Sequence, residues 1–226
     1  DSVGNYIITW VKKTNSFEDI YVQCYNTAVP IDSNFMINDV SNEYGEQYPS
    51  IASLGNLSYL ITWRDRRDDV GNIYGQIYKN NSPQGNNFLV NERSSGFPAH
   101  QPMVCNTVNN HYIVTWEDSR YGFYYYTYFQ IYDMDGISIG SNFKNNLTDT
   151  DSEQKWPCID IISEDRFIIV WEDERNISKN IYAQIFENDG TPISENFMVN
   201  DSIMFDKYKL SVASNGSGTI IITWDN

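Results

Sequence analysis

The chain has 226 residues, a formal net charge of −15 and 15% aromatic residues. This length is enough to bury a sizeable core within a single all-β domain. The dispersed Lys and Arg residues form no basic stripe, which argues against nucleic-acid binding. The sequence also has no apolar run of about 18 residues, so no membrane span is expected.

Five tryptophans recur at nearly equal spacing, with steps of 53, 53, 55 and 53 residues. They are Trp10, Trp63, Trp116, Trp171 and Trp224. Each closes a β-branched and aromatic run that does not alternate with polar residues, as is typical of a strand buried on both faces. A fixed period of about 40–50 residues built from strands predicts a β-propeller.

Three further strand-like segments follow each of the first four tryptophans. The first carries a Gln 13 or 14 residues after the Trp, the second carries a Phe, and the third opens near a Pro in most units. Asp135-Gly136 and Asp189-Gly190 indicate hairpin turns between them. The pattern predicts an all-β protein with almost no helix and blades of four strands. The repeat units lie at about 10–62, 63–115, 116–170 and 171–223.

The Trp strand occurs five times, whereas the other three strands occur four times. Two interpretations follow from this imbalance. One is a single four-bladed domain that closes by pairing its terminal strands. The other, slightly favoured because no capping repeat is recognisable, is a segment of a larger propeller.

An acidic and a basic residue follow the Trp at fixed offsets in three units. The pairs are Asp65 with Arg67, Asp118 with Arg120, and Asp173 with Arg175. Arg offers a planar fork to carboxylates, and a group that recurs three times is more typical of a structural contact than of a catalytic one.

The complete pattern resembles a repeat of secreted and cell-surface propeller-like proteins of bacteria and archaea. It consists of Trp-Glu-Asp-x-Arg, Ile-Tyr-x-Gln-x-Phe, Asp-Gly-x-x-Ile and Phe-x-Val-Asn. The resemblance covers the whole chain and implies architecture and an extracellular or cell-surface location, but no catalytic motif. The first unit departs from it at Lys12 and Thr14, and the third at Lys144 and Asn145.

Candidate catalytic groups are few. His100 and His111 stand in loop-like contexts without a cluster that would bind zinc, and no Gly-x-Ser-x-Gly elbow or phosphate-binding glycine loop is present. A glycosidase needs two carboxyl groups, for which Asp160, Glu164 and Asp165 are candidates because they break the repeat. Solvated turn acids are the preferred interpretation of these three residues.

No cofactor is predicted. Asp133 to Gly136 starts like a calcium loop, but Lys144 stands where the twelfth-position Glu would be, so a hairpin turn is favoured, with weak surface calcium left open. Cys24, Cys105 and Cys158 are expected to be small buried apolar residues, with a disulfide between the last two as the alternative.

Five Asn-x-Ser/Thr triplets, apart from a sixth at Asn80 that Pro83 follows, favour a secreted, glycosylated protein. They begin at Asn56, Asn146, Asn176, Asn200 and Asn215.

The most distinctive departure from the repeat is the aromatic segment 121–129. Exposed aromatic faces bind sugar rings and extended peptides. The candidate binding residues are Phe123, Tyr124, Tyr125 and Tyr126, together with Trp156. The sequence therefore predicts a non-enzymatic module that recognises glycan or protein, with self-assembly through strand pairing as a further hypothesis. The alternative is a glycan-active hydrolase or lyase with paired carboxylates.

Overall fold

The structure is a computed structural model that describes residues 4–14, 17–39, 45–68, 70–93, 96–146, 151–176, 178–202 and 204–226. Its regular elements are 17 β-strands, and none of the described residues lies in a helix. The prediction of an all-β chain is confirmed. Among these residues there is accordingly no apolar helix of membrane-spanning length.

The strands form five antiparallel sheets. The first sheet contains β1 (Asn5–Thr14), β2 (Phe17–Asn26) and β3 (Val29–Met36). The second contains β4 (Glu46–Gly55), β5 (Ser58–Asp65), β6 (Asn72–Lys79) and β7 (Ser82–Leu89). The third contains β8 (Ala99–Asn106), β9 (Tyr112–Asp118), β10 (Tyr126–Tyr132) and β11 (Ser138–Lys144). The fourth contains β12 (Gln154–Ser163), β13 (Arg166–Asp173), β14 (Asn180–Glu187) and β15 (Phe197–Met198), and the fifth contains β16 (Tyr208–Ser214) and β17 (Ile220–Asp225).

Consecutive sheets stack face to face in a propeller-like arrangement. The first strands of the last four sheets lie against one another, β4 on β8, β8 on β12 and β12 on β16. The Trp-bearing strand is the second strand of each four-stranded sheet, so each predicted repeat unit runs from the second strand of one sheet to the first strand of the next. Among the described residues β17 pairs with β16 and with no strand of the first sheet.

From the second sheet onward, each repeated Trp packs against the sheet that precedes its own. Trp63 clusters with Ile20 and Val22 of β2, and Trp171 clusters with Ile113 and Phe129 of the third sheet. The side chains of the three internal tryptophans, Trp63, Trp116 and Trp171, are fully buried. Trp10 and Trp224 are partly exposed because they belong to the two end sheets. Burial of these large aromatic surfaces stabilises the stacking of the sheets.

The Asp that follows each internal Trp accepts a hydrogen bond from the indole and pairs with the Arg two residues further on. In β9 the Trp116 indole N–H donates to Asp118 Oδ2 at 3.2 Å, and the Arg120 backbone N–H donates to Asp118 Oδ1 at 2.8 Å. The Arg120 guanidinium pairs with Asp118 Oδ2 at 2.6 Å and lies 4.2 Å from the centre of the Tyr128 ring. The other two units repeat these contacts through Trp63, Asp65, Arg67 and Tyr74, and through Trp171, Asp173, Arg175 and Tyr182.

The repeated Gln fills a β-bulge. The register of β6 and β7 shifts between Gly75 and Ile77, and the Gln76 side-chain amide donates there to the carbonyls of Ile77 and Gln84 at 3.0 and 3.2 Å. A bulge leaves ladder carbonyls without their partner, and the amide supplies one. Gln23, Gln130 and Gln184 make the corresponding bonds.

Other predicted features have simple structural outcomes. The three cysteines are free thiols, so the disulfide alternative is wrong. Two of the five triplets have a buried Asn, Asn146 and Asn200, and the Asn200 carboxamide accepts the Ile181 amide at 2.7 Å. These two side chains are inaccessible for glycosylation in the folded protein.

The segment that starts like a calcium loop forms a hairpin turn. Asp133 Oδ1 accepts the backbone amides of Asp135 and Ile137, both at 2.9 Å, in this turn.

Candidate active site

Side chains alternate along each Trp strand, so the residue after the Trp faces the following sheet. Glu117 occupies this position in β9, and its Oε2 accepts the backbone N–H of Trp156 in β12 at 2.9 Å. Glu172 occupies it in β13, and its Oε1 accepts the backbone N–H of Lys209 in β16 at 3.0 Å. These carboxylates therefore join the second strand of one sheet to the first strand of the next.

The residue that receives each of these contacts has a left-handed backbone. Trp156 has φ 55° and Lys209 has φ 51°, and Tyr48 and Gln101 hold the equivalent positions with φ 55° and 52°. Each lies within a register shift between the first and second strands of its sheet. Positive φ is costly for a bulky residue and clusters at functional sites. The bulge turns the Trp156 side chain outward, and 47% of it is exposed.

A cavity of about 530 Å³ opens beside Trp156 and Glu172. Its wall brings together two aromatic rings, two carboxyl groups and two ammonium groups. The lining residues are Trp156, Glu172, Lys179, Tyr208, Lys209, Asp225 and Asn226. An aromatic wall with a few convergent polar groups is the usual composition of a small-molecule site.

The two carboxyl groups of the cavity have different surroundings. Burial raises the pKa of Glu172, against the lowering effect of its bond to the Lys209 amide. The Asp225 side chain is 63% exposed and pairs with Lys209 Nζ at 3.2 Å. Lys209 therefore contacts one carboxylate through its backbone and the other through its ammonium group. This gives a shielded acid and a solvated carboxylate on one wall.

The predicted aromatic residues occupy several environments. Trp156 lines the cavity, whereas Phe123 and Tyr124 project from the loop before β10, with Phe123 95% exposed. Tyr126 lies in β10 beneath the Lys144 ammonium, 4.1 Å from its ring centre. Tyr125 packs edge-on against His100, with ring centres 5.6 Å apart, and Lys155 Nζ lies 5.0 Å from its ring centre.

Two sequence-based placements require correction. His100 lies inside β8, not in a loop, because the bulge at Gln101 interrupts the apolar pattern that would have marked it as strand. Of the three candidate acids, which were expected to be solvated turn acids, only Asp160 needs correction: it lies half-buried in β12 and accepts the backbone amides of Ile161 at 2.8 Å and Ser214 at 2.6 Å. Glu164 and Asp165 form the turn between β12 and β13.

None of these three acids lines the cavity; Glu172 and Asp225 do. The signal for them was present in the sequence, since each directly follows a Trp whose neighbours alternate between faces. Among the described residues, no three His, Cys, Asp or Glu side chains come together as metal ligands would.

Comparison with known proteins supports the fold. No protein-family model matches the chain, and no curated protein sequence does. Three solved structures are similar over nearly the whole chain. An α-L-arabinanase of Penicillium chrysogenum is 15% identical, with 97% of this chain and 71% of that one covered and a TM-score of 0.65. A protein of unknown function from Dyadobacter fermentans is 10% identical, with 98% and 71% covered and a TM-score of 0.64. An endo-arabinase of Bacteroides thetaiotaomicron is 12% identical, with 99% and 85% covered and a TM-score of 0.55. At these identities the likeness establishes a shared fold.

Proposed function

We propose that the protein is a glycan-active hydrolase of propeller-like fold that acts in the Trp156 cavity. The observation that carries the proposal is the meeting of Glu172, Asp225, Trp156 and Tyr208 around one open space of about 530 Å³. Aromatic rings offer a face for sugar stacking, and a pair of carboxyl groups is what glycosidic-bond hydrolysis requires. The similarity to an arabinanase and an endo-arabinase supports glycan as the substrate class.

The different environments of the two carboxyl groups support different roles for them. Glu172 is shielded and its raised pKa favours the protonated form, so it serves as the general acid that protonates the glycosidic oxygen as the bond to the anomeric carbon breaks. Asp225 is solvated and paired with an ammonium group, so it serves as the base that takes a proton from the attacking water. The Trp156 ring stacks on the sugar and orients it.

Glycan recognition without hydrolysis is the second candidate, and one observation favours it. Glu117 makes the same contact to the next sheet that Glu172 makes, although Glu117 lies outside the cavity wall. A carboxylate that recurs in consecutive sheets has a structural role in at least one of them. In this alternative, Trp156 and Tyr208 bind sugar and Glu172 only holds the Lys209 amide.

The two candidates differ in one measurement, the release of reducing ends from arabinan, arabino-oligosaccharides and a panel of other plant and bacterial polysaccharides. We expect hydrolysis by the wild-type protein and a loss of about 100-fold or more in kcat for Glu172→Gln and Asp225→Asn. Trp156→Ala is expected to weaken glycan binding in both candidates.

Glu117→Gln is the matched control, because it makes the same chemical change at the equivalent position of the preceding sheet. Its kcat is expected to stay within about threefold of wild type, a margin well below the contribution of an acid–base group. Binding that depends on Trp156 without any hydrolysis would establish the recognition module and refute the hydrolase.

A further inference from the structure

One position in the repeat reverses its charge. The residue after the Trp is Glu117 in β9 and Glu172 in β13, but it is Arg64 in β5. Glu117 and Glu172 each accept the backbone amide of the left-handed residue in the next sheet. The equivalent left-handed residue opposite Arg64 is Gln101. We call each of these pairings of the residue after the Trp with the left-handed residue of the next sheet a junction. The Arg64 junction therefore has a guanidinium group where the other two have a carboxylate.

Cationic and polar groups surround this junction. His100, one residue before Gln101, has its pKa lowered to about 4 by burial and by the nearby charges of Arg64, Arg66 and Lys155. Geometry connects the same groups, because Tyr125 contacts His100 on one side and carries the Lys155 ammonium near its ring. Lys155 is itself paired with Glu153 at 2.9 Å, so the charge of Arg64 is what sets this junction apart from those of Glu117 and Glu172.

Arg64 is weakly engaged by the protein itself. Its only side-chain hydrogen bond within the described residues is a long one, 3.5 Å from Nη1 to Gln47 Oε1, and its Nε has no partner there. The guanidinium packs over Gly71, where a Cβ would lie 2.7 Å from Nε. The nearby Glu117 carboxylate is already bonded to the Trp156 amide. By contrast, Arg67, Arg120 and Arg175 are each paired with an Asp.

We propose that the Arg64 junction binds an oxyanion carried by a glycan, either the carboxylate of a uronic acid or a sulfate ester. At the other two junctions a Glu carboxylate meets the next sheet, and at the Arg64 junction the oxyanion of the glycan takes that role. Arg64 binds it through charge-assisted hydrogen bonds. Arg64 joins the second sheet to the third and Trp156 stands on the fourth, so a glycan that occupies both sites must extend across the third sheet. The proposal rests on the proposed function and narrows its substrate class to acidic glycans.

The test compares charged oligosaccharides with their neutral counterparts. Calorimetry would measure the binding of oligogalacturonates and their methyl esters, and of sulfated galacto-oligosaccharides and their desulfated forms. We expect the charged member of at least one pair to bind at least tenfold more tightly, and the pair that shows this identifies carboxylate or sulfate as the anion. Equal affinity within both pairs, or no binding of any charged member, would overturn the proposal.

Substitutions of Arg64 test whether this residue binds the oxyanion. Arg64→Gln is expected to remove the preference for charge, and Arg64→Glu to abolish binding of the charged ligand by repulsion. The Glu variant keeps the fold because Glu is the native residue at the two equivalent positions. Arg166→Gln, at the first residue of β13, removes the same charge elsewhere and controls for general electrostatics. An equal loss of affinity in Arg166→Gln and Arg64→Gln would overturn the proposal.

These readouts separate the two proposals. Loss of hydrolysis in Glu172→Gln with an unchanged charge preference supports both of them. Hydrolysis of neutral glycans without any charge preference refutes only the Arg64 site. A charge preference that depends on Arg64 in a protein without hydrolytic activity refutes only the hydrolase.

Discussion

The two faces of the Trp strands differ in how far they repeat. On one face, the three internal units keep Trp, Asp and the Arg that follows them, with the same bonds at nearly the same distances. On the other face, the residue between Trp and Asp changes from Arg64 to Glu117 to Glu172. The first face packs on the preceding sheet, and the second meets the next sheet around its bulge. The face that packs on the preceding sheet is thus constant, whereas the face that forms the candidate sites varies.

The largest expected effect lies on the constant face. Asp118→Ala removes the acceptor of the Trp116 indole and leaves Arg120, whose side chain is 5% exposed, without its buried partner. We expect a loss of about 3–5 kcal/mol in the free energy of unfolding, because the buried Arg120 guanidinium keeps only its pair with the more exposed Glu92, at 2.8 Å. Urea denaturation measures it. Glu117→Gln, one residue away on the other face, is expected to cost less than about 1 kcal/mol, and equal costs would show that the two faces do not differ.

A second prediction concerns the pH dependence of stability at Glu46, which is fully buried at the start of β4. Burial, together with the nearby charges of Asp65 and Asp19, raises its pKa to about 8. A raised folded-state pKa favours the folded protein at low pH, and this contribution is lost as the pH rises from about 4.5 through 8.

Glu46→Gln is therefore expected to match wild type at pH 5 and to be more stable at pH 9. The gain at pH 9 should be about 2 kcal/mol, or about 4–8 °C in the melting temperature. Gln154 occupies the equivalent place in β12, fully buried, so the substitution copies a residue that the repeat already accepts. If the melting temperatures of the two proteins changed in the same way between pH 5 and pH 9, the assignment would be wrong.

The sequence predicted the constant face better than the varied one. The period of the tryptophans indicated the strands because burial on both faces leaves a continuous apolar run. The bulges at Gln101 and Trp156 were not predictable in the same way, since one added residue with positive φ leaves no mark in the apolar pattern. The cavity was missed for this reason. Trp156 was identified from its chemistry alone, whereas its neighbour Glu172 comes from another strand and is joined to the cavity wall only by folding.

A smaller effect is expected at the outer bulge of the second sheet. Gln76→Leu removes two bonds from the side-chain amide to backbone carbonyls and the acceptor of the Asn87 carboxamide at 2.8 Å. We expect a loss of about 1–3 kcal/mol, since polar groups are left unsatisfied in a partly buried place. Hydrogen exchange should show faster opening of β6 and β7 than of β9 and β10. Uniform acceleration over all sheets would mean that the Gln supports the fold globally and not its own bulge.

The smallest effect on stability is expected at Arg64. A small effect would show that the varied face contributes less to stability than the constant face does. Arg64→Glu gives the second sheet the residue that the third and fourth sheets carry, with an acceptor aimed at the Gln101 amide. A new bond to that amide offsets the lost contact with Gln47, so the free energy of unfolding should change by less than about 0.5 kcal/mol. The same substitution is expected to abolish binding of a charged glycan. A large loss of stability would instead show that Arg64 holds the junction together, as the paired arginines of the constant face do.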